Sequence, residues 1–150
     1  MTVFLNFNCR FYAAQMCTPS RASLLTGKYA HHLGMQNFVI ASDDPFGLSV
    51  DEKIMPQYFK DAGYSTHLIG KWHQGFFQEQ YWPSHRGFDT FFGYLGPYID
   101  YYDYTLQMFN RNYSRGYDMR RDLNVDRSYE RVYATDMFTK EAVDIIENNG

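Results

Sequence analysis

A predicted helix that leads directly into a predicted strand is the feature that most restricts the fold of this chain. Residues 49–52 have the spacing of a capping box, Pro56 must sit in the first turn of the following helix, and Gly63 ends it. One face of this helix carries the apolar residues Ile54, Tyr58, Phe59 and Ala62. A strand is predicted over residues 65–69. Helix followed by strand favours an α/β fold, and no repeat or linker divides residues 1–150.

A second, shorter helix is predicted over residues 19–26. Thr18 is its expected N-cap, Pro19 fits the first helical position, and Gly27 supplies the end. Free backbone N–H groups and the helix dipole favour an anion at such a start, which is where Cys17 lies. Arg21 projects from the first turn, where its guanidinium suits a carboxylate, sulfate or phosphate. This region is therefore a candidate oxyanion site.

The remaining segments give weaker signals. A short strand is predicted over residues 2–7, and loops are predicted over residues 31–48 and 76–104, where turn residues are frequent. A last helix is predicted from about Thr135, with Thr135 or Asp136 as its cap. Its apolar residues at helical spacing are Phe138, Ala142, Ile145 and Ile146.

Composition excludes some classes of function. The formal net charge is −3, with 14 basic and 17 acidic residues and no long basic run, so nucleic acid is not an expected partner. No apolar stretch approaches the roughly 20 residues that a transmembrane helix needs, and the first residues lack the features of a signal peptide. Aromatic residues reach 19%, which suits cores, interfaces and carbohydrate-facing clefts alike. The sequon at Asn112 is a candidate glycosylation site.

Two polar side chains follow the strand predicted over residues 65–69. The carboxyl edge of an α/β sheet is where ligands bind, and Lys71 and His73 offer a cation and a neutral-pH donor or acceptor there. Taken alone, these residues are more often a solvated charge and a loop histidine. Cys17 alone is more often a small buried side chain, and a disulfide between Cys9 and Cys17 is compatible with their spacing.

Two longer strings change this balance. Residues 17–29, CTPSRASLLTGKY, and residues 63–73, GYSTHLIGKWH, closely resemble the two sulfatase signatures, and residues 86–94, RGFDTFFGY, are similar to the arylsulfatase B group. The resemblance implies that Cys17 is oxidised to formylglycine, which acts as nucleophile and metal ligand. It also implies that Arg21 holds this group, that Lys71 contacts sulfate, and that His73 hydrogen-bonds the formylglycine hydroxyl. Gln74 departs from the leucine that most members carry.

The resemblance also implies an alkaline-phosphatase-like sulfatase domain, a mixed sheet flanked by helices, of which residues 1–150 form an incomplete part. The family's Asp-Asp pair before the cysteine and its later Asp and Asn or Gln ligands are absent, and Asp43-Asp44 follows the cysteine in a turn, so it is not assigned to metal. Ca²⁺ is expected in the complete domain. We therefore expect this chain alone to have no appreciable sulfatase activity.

The implied partners are a sulfated carbohydrate or aryl sulfate ester and the formylglycine-generating enzyme. The implied location is lysosomal or secreted. Two alternatives stay open: a non-catalytic sulfatase-like remnant that binds a partner, and a phosphonate monoester hydrolase, which shares the C-x-P-x-R motif but not the second signature.

Overall fold

The computed structural model describes residues 12–37, 39–107 and 114–148. Within these ranges the α-helices are α1 (Cys17–Thr26), α2 (Met55–Asp61) and α3 (Ala134–Asn148). The strands are β1 (His67–Lys71), β2 (Thr90–Tyr94), β3 (Thr105–Gln107), β4 (Arg115–Tyr117), β5 (Arg120–Arg121) and β6 (Asn124–Val125). Short 3₁₀ helices cover Ala30–Leu33, Glu79–Tyr81 and Pro83–His85. The strand predicted over residues 2–7 and the sequon at Asn112 lie outside the described residues.

The main sheet is mixed. Its strand order is β1-β2-β5-β6, with β1 and β2 parallel and the other neighbours antiparallel, while β3 and β4 form a separate antiparallel pair. This arrangement of helices and a mixed sheet confirms the predicted α/β class. No helix in the described ranges is both long enough and apolar enough to cross a membrane.

Strands β1 and β2 approach closely at a pair of glycines. Gly70 lies opposite Gly93, and a Cβ atom at position 93 would come within 1.9 Å of the Gly70 carbonyl oxygen. The hydrogen-bonded ladder continues past the strand ends, where Trp72 N–H donates to Tyr94 O at 2.9 Å and His73 N–H donates to Leu95 O at 3.0 Å. The sheet therefore holds the backbone after β1 in register with the end of β2.

The two faces of the sheet bury separate cores. Adjacent strand residues point to opposite faces, so Phe91 and Phe92 belong to different clusters. The first cluster packs with α1 and α2 and contains Ala22, Met35, Ile40, Leu48, Ile54, Trp72, Phe88, Phe91 and Leu95. The second packs with α3 and contains Phe92, Ile99, Tyr104, Met119, Ala134 and Met137.

Helix α1 begins earlier than predicted, and Thr18 is not its N-cap. Met16 occupies the N-cap position without a side-chain hydrogen bond, and Thr18 lies buried inside the first turn. Its hydroxyl instead accepts a hydrogen bond from Ile40 N–H at 3.1 Å. The predicted end is confirmed, since Gly27 adopts the left-handed conformation with φ 70°.

The capping box predicted at residues 49–52 is also wrong. Helix α2 begins at Met55, Ile54 is the N-cap, and Gln57 Oε1 accepts a hydrogen bond from Ile54 N–H at 2.8 Å. The backbone of residues 48–52 is instead bound by the buried Arg86, whose guanidinium donates to three carbonyl oxygens there. Pro56 does lie in the first turn.

Of three further predictions, one is wrong and two are confirmed with shifted bounds. Strand β2 lies inside the segment that was expected to be loop, because its Gly93 and its two consecutive phenylalanines hide the alternation of a half-buried strand. Helix α3 confirms the last predicted helix and starts one residue earlier, at Ala134. The predicted cap at Thr135 or Asp136 is wrong, because both residues lie within the first turn of the helix. The strand predicted over residues 65–69 exists as β1, shifted by two residues.

Candidate active site

The start of α1 meets the carboxyl end of β1 through Arg21. Its Nε donates to Trp72 O at 2.9 Å, and its Nη2 donates to Lys71 O. Burial lowers the pKa of Arg21 from its ordinary value, an effect opposed by the nearby Tyr94 and Cys17 side chains. One guanidinium therefore both fixes the backbone of the strand end and places a positive charge beside Cys17.

Cys17 is the first residue of α1 and is a half-buried free cysteine. The Lys71 side chain interacts with it, and this contact favours the charged lysine. Burial is the largest influence on Lys71 and lowers its pKa, and the Arg21 charge acts in the same direction. The thiol thus faces two cationic side chains at a helix start, which is a setting for an anion.

His73 is fully buried and has a positive φ of 58°. Its Nε2 lies 2.8 Å from Ile40 O, and because a carbonyl oxygen only accepts, Nε2 must carry the proton. Burial lowers the pKa of His73 to about 4, so the ring is neutral at physiological pH. The Thr18 hydroxyl lies 3.5 Å from Nδ1 and is the group that joins His73 to the first turn of α1.

Gln74 is a residue whose part in the site is not evident from the sequence. Its side chain is fully buried, and its Nε2 donates to Thr18 O at 3.1 Å and to His73 O at 2.7 Å. It therefore binds α1 to the segment after β1 directly. Its difference from the family's leucine is the one signal that marks this position, and that difference alone does not indicate a role in the site.

Tyr94 is a second residue that sequence reasoning missed. It lies opposite Lys71 at the end of β2, is half-buried, and stacks on Phe138 with ring centroids 6.4 Å apart. Burial raises the pKa of Tyr94, while the nearby Arg21 charge lowers it. Recognition of β2 as a parallel neighbour of β1 would have placed Tyr94 at the ligand-binding edge.

Within the described residues, no carboxylate lies within 4 Å of the charged groups of Arg21 or Lys71. Asp118, at the same edge, accepts hydrogen bonds from Leu95 N–H at 3.1 Å and Gly96 N–H at 2.7 Å. It faces Arg120 instead, at 3.5 Å. The two cations beside Cys17 thus lack a protein counter-charge in this part of the chain, and they can hold a tetrahedral oxyanion.

The described residues do not form a calcium site. No group of three or more His, Cys, Asp or Glu residues that could hold a metal occurs among them, and Ca²⁺ needs six to eight oxygen ligands. Asp43 is exposed, and Asp44 Oδ2 accepts a hydrogen bond from Ala41 N–H at 2.7 Å within a turn. The Asp43-Asp44 pair therefore has the place in a turn that its sequence predicts.

Comparison with known proteins identifies the family. The family model described as Sulfatase matches residues 4–150, and the chain therefore belongs to the sulfatase family.

Two curated relatives illustrate the match. Mouse arylsulfatase J is 40% identical over 137 residues, which are 91% of this chain and 23% of that protein. Mouse N-acetylgalactosamine-6-sulfatase is 30% identical over 149 residues, covering 91% of this chain and 28% of that protein. The chain thus spans about a quarter of the length of these relatives. They do not single out the arylsulfatase B group.

A solved structure supports the same fold. The protein Ps i-CgsB in complex with k-i-k-neocarrahexaose superimposes with a TM-score of 0.75 at 27% sequence identity. The match covers 89% of this chain and 31% of that protein.

Proposed function

We propose that this chain supplies the nucleophile and sulfate-holding part of a sulfuric ester hydrolase, as part of a sulfatase catalytic domain. The supporting observation is that Arg21 and Lys71 both interact with Cys17 at the carboxyl end of β1, where neither cation has a carboxylate partner in the described residues. A sulfate ester brings the negative charge that this arrangement favours.

Each residue has a distinct proposed role. Conversion of Cys17 to formylglycine by the formylglycine-generating enzyme would supply an aldehyde hydrate, one oxygen of which attacks sulfur. The ester S–O bond breaks and the alcohol leaves, and elimination of sulfate from the modified residue then restores the aldehyde. Lys71 and Arg21 stabilise negative charge on the sulfate oxygens, and Arg21 also orients the first turn of α1. In the proposal His73, neutral and with its Nε2 proton on Ile40 O, accepts a hydrogen bond from the formylglycine hydroxyl at Nδ1. No step is assigned to a metal, since the described residues do not supply its ligands.

The finer aspects of the proposal concern the substrate and the cell. The proposed substrate is a sulfated carbohydrate, in line with arylsulfatase B-like action on glycosaminoglycans, and Ps i-CgsB was solved with a carrahexaose. The proposed partner is the formylglycine-generating enzyme, and the proposed location is lysosomal or secreted, where Asn112 would be available for glycosylation. Ca²⁺ is proposed only for the complete domain.

Mass spectrometry of the chain after expression in secretory cells tests this proposal. We expect the Cys17 peptide to carry an aldehyde, while the peptide with Cys9 keeps its thiol and serves as an internal control. The variant Cys17→Ala should yield no aldehyde. An unmodified thiol at Cys17 throughout would remove the proposed nucleophile.

A non-catalytic function is the second candidate, favoured by the lack of a metal-binding cluster in the described residues. The aldehyde at Cys17 separates the two candidates, because a non-catalytic chain has no need of it, and turnover of a chromogenic aryl sulfate by the purified chain is a second measurement. We expect no appreciable turnover by these 150 residues alone, and measurable turnover would show that the segment is a competent enzyme without further ligands.

A further inference from the structure

Three exposed tyrosines form a patch near the site, which we call the tyrosine platform: Tyr101, Tyr102 and Tyr133. Their exposed fractions are 58%, 57% and 38%. The ring centroid of Tyr133 lies 5.6 Å from that of Tyr101 and 5.6 Å from that of Tyr102. Such a cluster of exposed rings on a folded protein is typical of a binding surface.

The backbone beneath the platform is held by hydrogen bonds. Asp100 Oδ1 accepts from Tyr102 N–H at 2.8 Å and from Asp103 N–H at 3.0 Å. The Tyr101 and Tyr102 carbonyl oxygens accept from the segment that enters α3, at Ala134 N–H and Arg131 N–H. The rings are thus presented on a fixed turn, so binding a ligand costs little ordering of the chain.

Tyr94 is the residue that connects the platform with the site around Cys17. It lies opposite Lys71 at the end of β2, and it stacks on Phe138 from α3, the helix whose entry segment carries Tyr133. Arg21, Cys17 and Tyr101 all influence its pKa, so their side chains lie in its neighbourhood.

A basic groove of about 480 Å³ adjoins Tyr102. Its charged lining residues are Asp103, Arg115, Arg127, Glu130 and Arg131. Both acidic residues already have partners, since Asp103 accepts from Thr105 N–H at 2.8 Å and Glu130 pairs with Arg127 at 3.0 Å. Arg115 and Arg131 are exposed at its rim. The groove therefore suits an anionic group.

We propose that the tyrosine platform and the basic groove bind the sugar chain that carries the reacting sulfate ester. A sugar ring would pack its apolar face on Tyr101 and Tyr133, and a further sulfate of the same chain would lie beside Arg115 and Arg131, since Arg127 is already paired with Glu130. Tyrosine suits this because its ring gives a rigid contact area and its hydroxyl stays in water. The inference rests on the proposed function for the nature of the ligand. It adds to that function a second anion contact, remote from Cys17, that an aryl sulfate would not reach.

Calorimetry on the full chain tests the inference with three probes: a chondroitin 4-sulfate tetrasaccharide, an unsulfated chondroitin tetrasaccharide and inorganic sulfate. We expect Tyr101→Ala to weaken binding of both tetrasaccharides by about 3- to 10-fold and Tyr101→Phe to change it less than about 2-fold. Arg131→Gln should weaken only the sulfated tetrasaccharide. Tyr58→Ala is the matched control, because Tyr58 is 57% exposed on α2 and is not part of the platform.

The outcomes separate this inference from the proposed function. Inorganic sulfate binding that depends on Lys71 but tetrasaccharide binding that is unchanged by Tyr101→Ala and Tyr102→Ala would overturn the platform alone. Platform-dependent binding with no dependence of sulfate binding on Lys71 would overturn the proposed sulfate site and leave the platform as a glycan-binding surface. Failure of the unsubstituted chain to bind either tetrasaccharide would also overturn the inference.

Discussion

Cationic side chains at the two ends of the parallel pair β1 and β2 differ in whether they have carboxylate partners. At the amino end, Lys60 pairs with Asp89 at 2.6 Å. On the neighbouring strand, Arg121 binds both carboxylate oxygens of Glu141, at 2.6 and 2.9 Å. At the carboxyl end, Arg21 and Lys71 have no carboxylate within 4 Å among the described residues.

This difference supports the proposal that the carboxyl end of the sheet receives a ligand. Paired cations at the amino end need nothing further, whereas half-buried cations without a counter-charge are costly unless an anion joins them. Arg21 offsets part of this cost through hydrogen bonds to two backbone carbonyls. The remaining positive charge is the basis of the proposed sulfate site.

Replacing the arginine at each end should give the largest contrast. Arg21→Met leaves the carbonyls of Lys71 and Trp72 without their donor, so we expect the free energy of unfolding to fall by about 2–4 kcal/mol. Arg121→Met removes a half-exposed pair and should cost about 1 kcal/mol. Urea denaturation of both variants measures this, and equal losses would contradict the contrast.

Asp118 predicts a pH dependence at the carboxyl end. Burial raises the pKa of Asp118 to about 6, so the folded chain holds a proton that the unfolded chain has released. Stability from this group is therefore full below about pH 4 and is lost as pH rises towards 6, by about 1–3 kcal/mol. Asp118→Asn should remove this loss.

The measurement compares wild type and Asp118→Asn by urea denaturation at each pH between 4 and 7. The two proteins must be compared at each pH, because His73 also changes the stability with pH. Burial lowers the pKa of His73 to about 4, so its contribution to stability rises between about pH 4 and its ordinary pKa of 6.5. Parallel pH profiles for the two proteins would show that Asp118 is ionised throughout the range.

Lysine substitutions at the two ends should separate anion binding from general charge. Sulfate that binds the folded chain raises its unfolding temperature, and Lys71→Met should reduce the sulfate affinity by about 5- to 10-fold. Lys60→Met removes a lysine of the same charge that is already paired with Asp89, so it should leave the sulfate effect unchanged. Thermal melts in sulfate against chloride at equal ionic strength provide the test. The same loss in both variants would favour non-specific screening.

Gln74→Leu should give the smallest effect of these substitutions. Gln74→Leu restores the residue that most sulfatases carry and removes the two hydrogen bonds from Nε2, but it also removes a buried Oε1 that has no partner in the described structure. We expect a change below about 1 kcal/mol, and about 2 kcal/mol or more for Gln74→Ala, which leaves a cavity. Urea denaturation of both variants measures these losses in the free energy of unfolding. A large loss for Gln74→Leu would show that the amide hydrogen bonds are needed for stability.

Local signals predicted several elements of the fold correctly. The end of α1 at Gly27, the existence of α2 with Pro56 in its first turn, and the existence of α3 follow from short-range rules of helix formation. The N-cap at Thr18 and the capping box failed because distant partners take up those polar groups: Ile40 N–H binds the Thr18 hydroxyl, and Lys28 binds the Glu52 carboxylate. Tertiary hydrogen bonds of this kind have no signature in the neighbouring sequence.

The site was predictable only in part for a similar reason. The residues around Cys17 and Lys71 stand in long motifs, so the amino-acid sequence is enough to identify them. Gln74 and Tyr94 enter through the pairing of β1 with β2 and the packing of α1 on their ends, and β2 itself was concealed by Gly93. The catalytic roles of these residues stay predictions until the modification at Cys17 is measured.

The close approach of β1 and β2 at Gly70 and Gly93 makes the site sensitive to a substitution that lies outside it. An alanine at position 93 would drive its methyl group into the Gly70 carbonyl and wedge the strands apart. The backbone hydrogen bonds just beyond this point fix Trp72 and His73. The displacement of the strands would therefore reach the proposed sulfate site. A substitution at position 93 would therefore have the same effect in an activity assay as a substitution in the site, although residue 93 itself lies outside the site.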